Sequence, residues 1–395
     1  MKSPAVFYGV LILGVVLLGI GAYGIWEKNV TLHTTSLWAF MISVYTFFAL
    51  MAITELPVSL FALRLVRAEV VEVVSRYLIA LSIVTVLPAF VVIFADLTQL
   101  WAFPWMFLSF NATSKMAWMA VFYIIFVLAL LVKLVQEIRG GSHRNAFWIA
   151  LAVLIFSALA HLNLGMIFGS SYGVPAWYGL FTGVYLVTIG IVASFALMPL
   201  ALAISEKIRH GHVREEVREF TFAIVSKALL ILIPLFVFLT AWYIETSKYS
   251  PPVYQAVYHM VYGALSNYFW GIVVVLGVLI SIVLIIVSHL RKNFGLLSIA
   301  ALFVLAGQFT ALTLYILAGQ IGAMQNQLSV YGIENYNFAS DIDEFFSPIE
   351  LSALPLAVGL WLVLWALAVR LLALEKEDKA VFIFRKIDKK QKSKK

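Results

Sequence analysis

The sequence predicts an all-α integral membrane protein with about ten transmembrane helices. Of its 395 residues, 63% are hydrophobic and only 12% are charged, whereas soluble domains carry roughly 25% charged residues. The hydrophobic residues form ten apolar segments, each long enough to cross a hydrocarbon layer of roughly 30 Å. We therefore expect a bundle of helices in a bilayer.

The ten predicted helices cover residues 4–26, 37–63, 75–100, 116–137, 146–169, 180–205, 220–245, 265–290, 294–322 and 350–374. Their ends are predicted to within about four residues. The first is longer than the apolar core of a signal peptide, which spans about 7–15 residues, and no clear A-x-A cleavage site follows it. We therefore expect it to be a helix of the protein.

The distribution of basic residues predicts the orientation in the membrane. Of the 27 Lys and Arg residues, 23 fall on one side of the predicted helices, Lys28, Lys115 and Lys248 fall on the other, and Lys227 lies inside a helix. Because cytoplasmic loops are enriched in Lys and Arg, we expect both termini in the cytoplasm. We expect the protein to lie in the plasma membrane.

The eight central helices contain a parallel internal repeat, in which helices two to five resemble helices six to nine in order. The matched pairs are 140 to 152 residues apart and include Tyr45 with Tyr185, Pro88 with Pro234, Trp118 with Trp270 and Gly169 with Gly319. Four helices is an even number, so both halves keep the same orientation. The predicted organisation is a first helix and outer loop (1–35), a first four-helix bundle (36–170), a second four-helix bundle (171–324), an outer acidic loop (325–349), a last helix (350–374) and a basic cytoplasmic tail (375–395).

The composition also narrows the chemistry of the chain. It has no cysteine, so we expect neither a disulfide nor a conventional iron–sulfur cluster on it. Of its seven histidines, only His161 lies well inside a predicted helix, which argues against a bis-histidine haem. The net charge of +7 comes from helix ends and the tail, so it indicates no nucleic-acid partner, and no metal site is predicted.

Two polar residues in the outer parts of helices are candidate catalytic groups. Asp96 lies in the last turn of the third helix, and an ionisable group at membrane depth is a functional-site hypothesis by default. The alternative is a helix-end carboxylate that reaches water. His161 in the fifth helix can take or give a proton near neutral pH, and its alternative role is packing.

Three further residues are candidates for a functional role, and each also has a simpler structural explanation. Tyr45 in the second helix and Tyr123 in the fourth are candidates to line the same cavity, although aromatic residues are abundant here and core packing is the alternative. Glu55 precedes Pro57, and a proline loosens a helix and frees a backbone carbonyl. Glu55 is therefore a candidate for a proton path from the cytoplasm, or else the partner of a neighbouring polar group.

The stretch from Asp96 to Trp118 resembles the NrfD/PsrC family, the membrane subunits of polysulfide, nitrite and related molybdopterin or iron–sulfur respiratory complexes. In that family it reads roughly D-L-G-R-P, then an aromatic-rich stretch, then S-P-M-S-W-G. The matching residues are Asp96, Leu97, Ser114, Met116 and Trp118. Thr98-Gln99-Leu100 and Lys115 depart from the pattern. The resemblance covers roughly residues 30–200, and the ten-helix form is similar to the longer members.

The resemblance implies a quinone site in the first bundle that opens toward the outer face. It implies that Asp96 and His161 bind the hydroxyls of a menaquinone-type quinol. The residues expected to shape this cofactor-binding cavity are Tyr45, Ser114, Trp118, Tyr123 and Asn163. Electrons would pass to an extracytoplasmic iron–sulfur subunit and then to a molybdopterin-type subunit that reduces sulfur, polysulfide or a similar acceptor. The chain would not be an enzyme by itself, and protons moving through Glu55 would make the complex a pump.

Two other functions stay open on the sequence alone. A ten-helix secondary transporter often has internal repeats and polar residues at the membrane midplane, although its halves are often inverted. A structural anchor without an active quinone site is the other alternative, because the Gly-Arg-Pro of the family pattern is missing. The direction of electron flow and the terminal acceptor are also left open.

Overall fold

The computed structural model describes residues 3–31, 40–65, 70–97, 103–140, 143–333, 336–372 and 374–375. The structure is 85% helical and has no strand in these ranges, which confirms the predicted all-α fold. Ten stretches of the described chain are long and apolar enough to cross a membrane, and this confirms the predicted number.

The helices are numbered in chain order. They are α1 Pro4–Thr31, α2 Phe40–Met51, α3 Leu56–Ala62, α4 Val70–Asp96, α5 Trp105–Leu108, α6 Lys115–Arg139, α7 His143–Gly169, α8 Leu180–His210, α9 Glu215–Phe220, α10 Ser226–Ser247, α11 Pro251–Val261, α12 Ser266–Tyr268, α13 Ser281–Arg291, α14 Phe294–Val330, α15 Ala339–Phe345, α16 Pro348–Leu351 and α17 Ala353–Leu371. Two π-helical segments, Thr221–Val225 and Phe269–Ile280, join α9 to α10 and α12 to α13.

The eight central membrane segments pack as two rings of four. In the first ring, α2 and α3 together count as one segment that contacts α4 and α7, and α6 contacts both α4 and α7. In the second ring, α10 contacts α8 and α13, and α14 contacts α8 and α13. The rings meet mainly where α8 packs against α2 and α7. The first ring is hereafter called the first bundle.

The second predicted helix is interrupted between α2 and α3. The residues of the break, Ala52 to Glu55, are all buried, and Pro57 occupies the first turn of α3. Proline cannot continue the hydrogen-bond ladder of a helix. Irregular backbone at membrane depth is tolerated where protein surrounds it, and here α4 supplies that cover through the Leu78 carbonyl, which accepts a hydrogen bond from Thr54 Oγ1 at 2.9 Å.

The two terminal membrane helices pair with each other. Helix α17 packs along α1 and also against α4 of the first bundle. Trp361 Nε1 donates to Thr85 Oγ1 at 3.1 Å, and Trp365 Nε1 donates to the Ala201 carbonyl at 3.0 Å. The two flanking helices therefore form one unit that packs against α4 of the first bundle and α8 of the second ring.

Replacing Gly21 with leucine is expected to destabilise the α1–α17 pair by about 1–3 kcal/mol. A Cβ at Gly21 would overlap backbone atoms of Leu356, and small residues in membrane helices permit such close approach. The measurement is the thermal unfolding temperature in detergent. The matched control is Gly19→Leu, because no described atom lies within 4 Å of a Cβ built at Gly19. Equal unfolding temperatures for the two variants would contradict the close packing of these helices.

Candidate functional site

Asp96 lies in an ion cluster at one end of the first bundle, here called the outer end because the predicted topology places it outside. Lys28 Nζ, in the last turn of α1, lies 2.8 Å from Asp96 Oδ1 and 3.0 Å from Glu350 Oε1. The Asp96 side chain is 26% exposed and that of Glu350 is completely buried. The Lys28–Glu350 contact lacks hydrogen-bond geometry, so it is a charge contact. Lys28 thus joins α1, α4 and α16.

Three of the predicted site residues are buried side by side in the first bundle. Tyr45, Tyr123 and His161 are at most 6% exposed, and the ring centroids of Tyr123 and His161 are 5.6 Å apart. Tyr45 is close enough to Asp96 and to Tyr123 for electrostatic interaction with each. These residues, with Asp96, form a row that leads from the outer end into the bundle.

The hydrogen bonds of His161 fix the tautomer of its neutral ring. Its Nδ1 lies 2.6 Å from the Ser157 carbonyl one helical turn earlier. A carbonyl can only accept, so Nδ1 carries the proton and Nε2 presents a lone pair. The Ala49 carbonyl is also close to the imidazole, but Nε2 makes no hydrogen bond with any described residue.

Two neighbouring polar atoms of this row have no partner among the described residues. They are Tyr123 Oη and His161 Nε2. Buried polar atoms in proteins are nearly always hydrogen-bonded, so each exception needs an explanation. A hydroxyl that can donate and a ring nitrogen that can accept lie on adjacent side chains, which is the pair that a small oxygen-bearing ligand would require.

Three more of the predicted site residues lie at the outer rim and make structural hydrogen bonds. Ser114 caps α6, accepting from Ala117 N at 3.3 Å. Trp118 Nε1 donates to the Ala112 carbonyl at 2.9 Å, and Asn163 Nδ2 donates to the Lys115 carbonyl at 2.8 Å. These bonds hold the loop before α6 and join α6 to α7. A direct part for these three residues in ligand binding stays a prediction.

Glu55 is completely buried in the break between α2 and α3. Its Oε2 accepts from Ser82 Oγ at 2.8 Å, and its backbone N–H donates to the same hydroxyl at 2.9 Å. Its other oxygen, Oε1, has no hydrogen-bond partner among the described residues. Glu55 thus has a polar neighbour on α4 and also one free acceptor.

Lys133 is a buried base that lies deeper in the same bundle. Its side chain is 1% exposed, and Nζ donates to Ser59 Oγ on α3 at 2.6 Å. It interacts electrostatically with Glu55 and Glu137. Lys133 is one of the 23 basic residues that the sequence predicts on the cytoplasmic side. The structure places it inside the first bundle.

Ser157 connects the Glu55 region with His161. The Ser157 hydroxyl lies 3.4 Å from His161 Nδ1 and also interacts with the Glu55 side chain. Ser157 is itself completely buried. Ser157 therefore lies between His161, in the row at the outer end, and Glu55, which interacts with Lys133.

Five residues of this region were not predicted as site residues from the sequence: Lys28, Glu350, Lys133, Ser82 and Ser157. A signal existed for two of them. Lys28 is one of three basic residues on the predicted outer side, and Lys133 lies four residues before the end of a predicted helix that spans 116–137. No local pattern marked the other three residues, because their partners are distant in sequence. The family positions Thr98, Gln99 and Leu100 lie outside the described residues.

A second ion cluster lies at the opposite, inner end of the bundles. Arg214 donates to both carboxylate oxygens of the buried Glu206, at 2.9 and 2.8 Å. His210 Nε2 lies 2.6 Å from Glu375 Oε1. Ligand atoms of Glu206, His210 and Glu375 lie within 4.8 Å of one another, which suits a metal ion. Because the Arg214 guanidinium already supplies positive charge to both carboxylates, we interpret the cluster as an ion-pair network.

The stabilising effect of Glu375 is expected to depend on pH. Burial raises the pKa of this carboxyl, but hydrogen bonds from His210 and Tyr77 and the charge of Arg214 outweigh burial and lower it below its usual 4.5. A lowered folded-state pKa stabilises the fold above the unfolded value, and the effect is lost as pH falls through the folded value. Glu375→Gln should therefore lower the unfolding temperature at pH 7 and leave it nearly unchanged near pH 3. A difference that persists at the lower pH would contradict this assignment.

The fold and the buried polar row define a helical, multi-pass membrane protein with ionisable groups inside one of two bundles. Residues 29–323, about three quarters of the chain, match the protein family described as polysulphide reductase, NrfD. The chain belongs to this family, and it is a membrane subunit of a respiratory oxidoreductase. This confirms the resemblance seen in residues 30–200 and extends it into the second bundle. No curated protein sequence matches the chain.

Proposed function

We propose that this subunit exchanges electrons between a quinone pool and an extracytoplasmic iron–sulfur subunit, through a quinone site beside Tyr123 and His161. The observation that carries the proposal is the adjacent, buried and unpartnered pair of Tyr123 Oη and His161 Nε2. A quinone carbonyl accepts a hydrogen bond and a quinol hydroxyl donates one, so this pair fits both forms.

Each residue of the row has a separate role in ligand binding or proton transfer. Tyr123 Oη donates to the ligand oxygen, and His161 Nε2 accepts a proton from the ligand hydroxyl or returns one. The Ser157 carbonyl holds the imidazole by accepting from Nδ1, so that the lone pair of Nε2 stays available. A bound menaquinone-type molecule supplies the redox chemistry itself. Tyr45 and Asp96 continue the polar row to the outer end, where protons can leave or enter.

The outer end also suits the electron-transfer partner. The short helix α5 and the loop after it expose large apolar side chains, with Trp105 57% and Leu108 74% exposed. Phe103, just before α5, packs edge-on against Phe94 near the end of α4, with ring centroids 4.7 Å apart, so α5 follows directly on the Asp96 end of the row. We place the iron–sulfur subunit on this face, with a molybdopterin-type subunit beyond it that acts on sulfur, polysulfide or a similar acceptor. On this proposal both termini lie in the cytoplasm, and the protein resides in the plasma membrane.

One feature favours a second candidate function. The interrupted helix with a buried carboxylate, Glu55, is an arrangement that secondary transporters also use. The family instead implies an oxidoreductase, and the predicted repeat is parallel, whereas the halves of such transporters are often inverted. We therefore assign the break to proton movement that accompanies quinone chemistry.

The test is photolabelling of the purified complex with an azido-quinone, followed by mass spectrometry. We expect adducts on peptides that contain Tyr123 or His161, and we expect unlabelled menaquinone to compete with them. Adducts confined to lipid-facing residues, or insensitive to competitor, would remove the site. In parallel, added quinol should reduce the iron–sulfur subunit, as followed by electron paramagnetic resonance.

A further inference from the structure

A second buried ionisable group, Lys133, lies next to Glu55 in the first bundle and has no part in the chemistry described above. A lysine with 1% exposure is rare in proteins unless it is paired. Inside a membrane, ionisable residues mark ion or proton pathways more often than they serve packing. The position of Lys133 therefore needs a functional account.

The groups around Lys133 form a series across the inner half of the bundle. Glu137, one helical turn toward the inner end of α6, is partly exposed and interacts electrostatically with Lys133. Lys133 Nζ donates to Ser59 Oγ at 2.6 Å, and Ser59 lies one turn along α3 from Glu55. Lys133 also interacts electrostatically with Glu55. Acidic and basic groups thus alternate from the inner surface to Glu55.

The series continues from Glu55 to the proposed quinone site. The Glu55 carboxylate interacts with Ser157, and the Ser157 hydroxyl lies 3.4 Å from His161 Nδ1. Glu55 Oε1 has no hydrogen-bond partner among the described residues, so this oxygen is free to receive a proton. The titratable members of the series are Glu137, Lys133, Glu55 and His161.

We propose that Lys133 is a proton-exchanging residue, which with Glu55 connects the inner, cytoplasmic surface at Glu137 to His161. In the inward-to-site direction, the Lys133 ammonium gives a proton to the Ser59 hydroxyl to which it donates, and Ser59 gives its own proton to Glu55, so that one N–H bond breaks at Lys133 and one O–H bond forms at Oε1. Lys133 then takes a replacement proton from the Glu137 side. The Ser157 hydroxyl takes the Glu55 proton and gives its own to His161 Nδ1 when the single proton of the imidazole is on Nε2, and the Nε2 proton then passes to the ligand, which leaves the Nδ1–H tautomer. The reverse sequence carries protons from the site to the cytoplasm.

This inference rests on the proposed function, because it assigns a proton route to that quinone site. Lys133→Arg is the sharpest variant, because arginine keeps the positive charge beside Glu55 but is not deprotonated in proteins. A purely electrostatic role would survive the change, and a proton-exchanging role would not. The matched control is Lys227→Arg, since Lys227 lies in α10 of the second ring with an exposed side chain.

The experiment uses the purified complex in vesicles that contain a pH-sensitive dye. We expect Lys133→Arg and Glu55→Gln each to slow quinone-linked electron transfer at least about tenfold and to reduce the internal pH change. Formate, a small weak acid that can carry protons to buried sites, should restore part of the rate. Lys227→Arg should behave as wild type. Wild-type rate and pH change in Lys133→Arg would overturn the proposal.

Two additional measurements allow the proposal to be tested even if one variant does not fold. If Lys133→Arg yields no folded complex, Lys133→Met combined with Glu55→Gln replaces it, and full turnover in that neutral pair overturns the proposal. Azido-quinone labelling is measured on every variant. If the wild-type protein shows no labelling that menaquinone competes away, the quinone site itself is refuted. If Lys133→Arg is labelled at His161 and its proton movement is unchanged, only the proton route is refuted.

Discussion

Replacing His161 with alanine is expected to lower quinol oxidation by the assembled complex about 100-fold or more. The variant removes the ring nitrogen that we propose to accept the ligand proton, and general acid–base groups contribute about 10²–10⁴-fold to rates. His161 is 1% exposed, so water cannot readily take its place. The measurement is the steady-state rate with a menaquinol analogue, together with the rate of reduction of the iron–sulfur subunit.

A conservative change at the adjacent residue separates chemistry from packing. Tyr123→Phe removes one hydroxyl and keeps the edge-on ring contacts with Phe90 and Phe126. We expect a loss of about tenfold, consistent with one hydrogen bond to a ligand at roughly 1.4 kcal/mol. Because both groups hold the same ligand, the double variant should lose less than the product of the two single effects.

The controls are a histidine and a tyrosine that lie away from this row. His259→Ala alters a partly buried imidazole in α11. Tyr243→Phe removes a buried hydroxyl that donates to the Ala176 carbonyl at 3.2 Å. Both should retain quinol turnover. If His161→Ala retained it as well, with an unchanged unfolding temperature, His161 would be a packing residue, which is the alternative that the sequence left open.

The number and order of the membrane helices could be predicted because both depend on local composition. Long apolar segments separated by polar loops have one physical solution in a bilayer, since every backbone group must be satisfied within the helix. The boundaries were predicted less well. The ninth helix was predicted to 322 and ends at Val330, because polar side chains extend it beyond its apolar part. The third was predicted from 75 and begins at Val70, because the apolar residues before Arg76 continue the helix.

The site was only partly accessible to sequence reasoning. Tyr45, Tyr123 and His161 could be nominated because polar or amphipathic groups inside apolar helices stand out, and the structure brings them together. Their partners could not be inferred in the same way. The Lys28–Asp96 pair joins residues 68 positions apart, and such pairing depends on how helices pack rather than on any local pattern. The break at Glu55 was signalled by Pro57, whereas its neighbour Ser82 was not.

The repeat predicts a related but altered second ring. Gln308 in α14 stands near the repeat counterpart of His161, and it is 1% exposed with Oε1 unpartnered among the described residues. An amide can hydrogen-bond but cannot exchange protons at ordinary pH. In the second ring, Tyr185, Tyr243 and Tyr315 lie in mutual ring contact. Their hydroxyls are occupied by protein groups, which supports placing the proposed ligand chemistry in the first bundle.

Replacing Lys28 with methionine is expected to destabilise the protein by on the order of 3 kcal/mol, the effect of removing one partner of a buried ion pair. Glu350 is completely buried, and Lys28 is the basic group within 4 Å of it among the described residues. Without Lys28, the Glu350 carboxylate would remain buried beside Asp96 with no compensating charge. The measurement is the free energy of unfolding in detergent, or the unfolding temperature where unfolding is irreversible.

The second carboxylate makes a rescue possible, and the rescue distinguishes charge from packing. Methionine preserves most of the apolar length of lysine, so lost contacts account for little of the effect. Lys28→Met with Glu350→Gln removes both the base and the fully buried acid, and it should recover most of the stability, because a neutral pair avoids the burial of an uncompensated charge. Lys28→Met with Asp96→Asn should recover less, because the Asp96 side chain is 26% exposed and can be solvated by water. Equal recovery of stability by the two double variants would mean that both carboxylates are equally inaccessible to water. That result would contradict the difference in burial between Glu350 and Asp96.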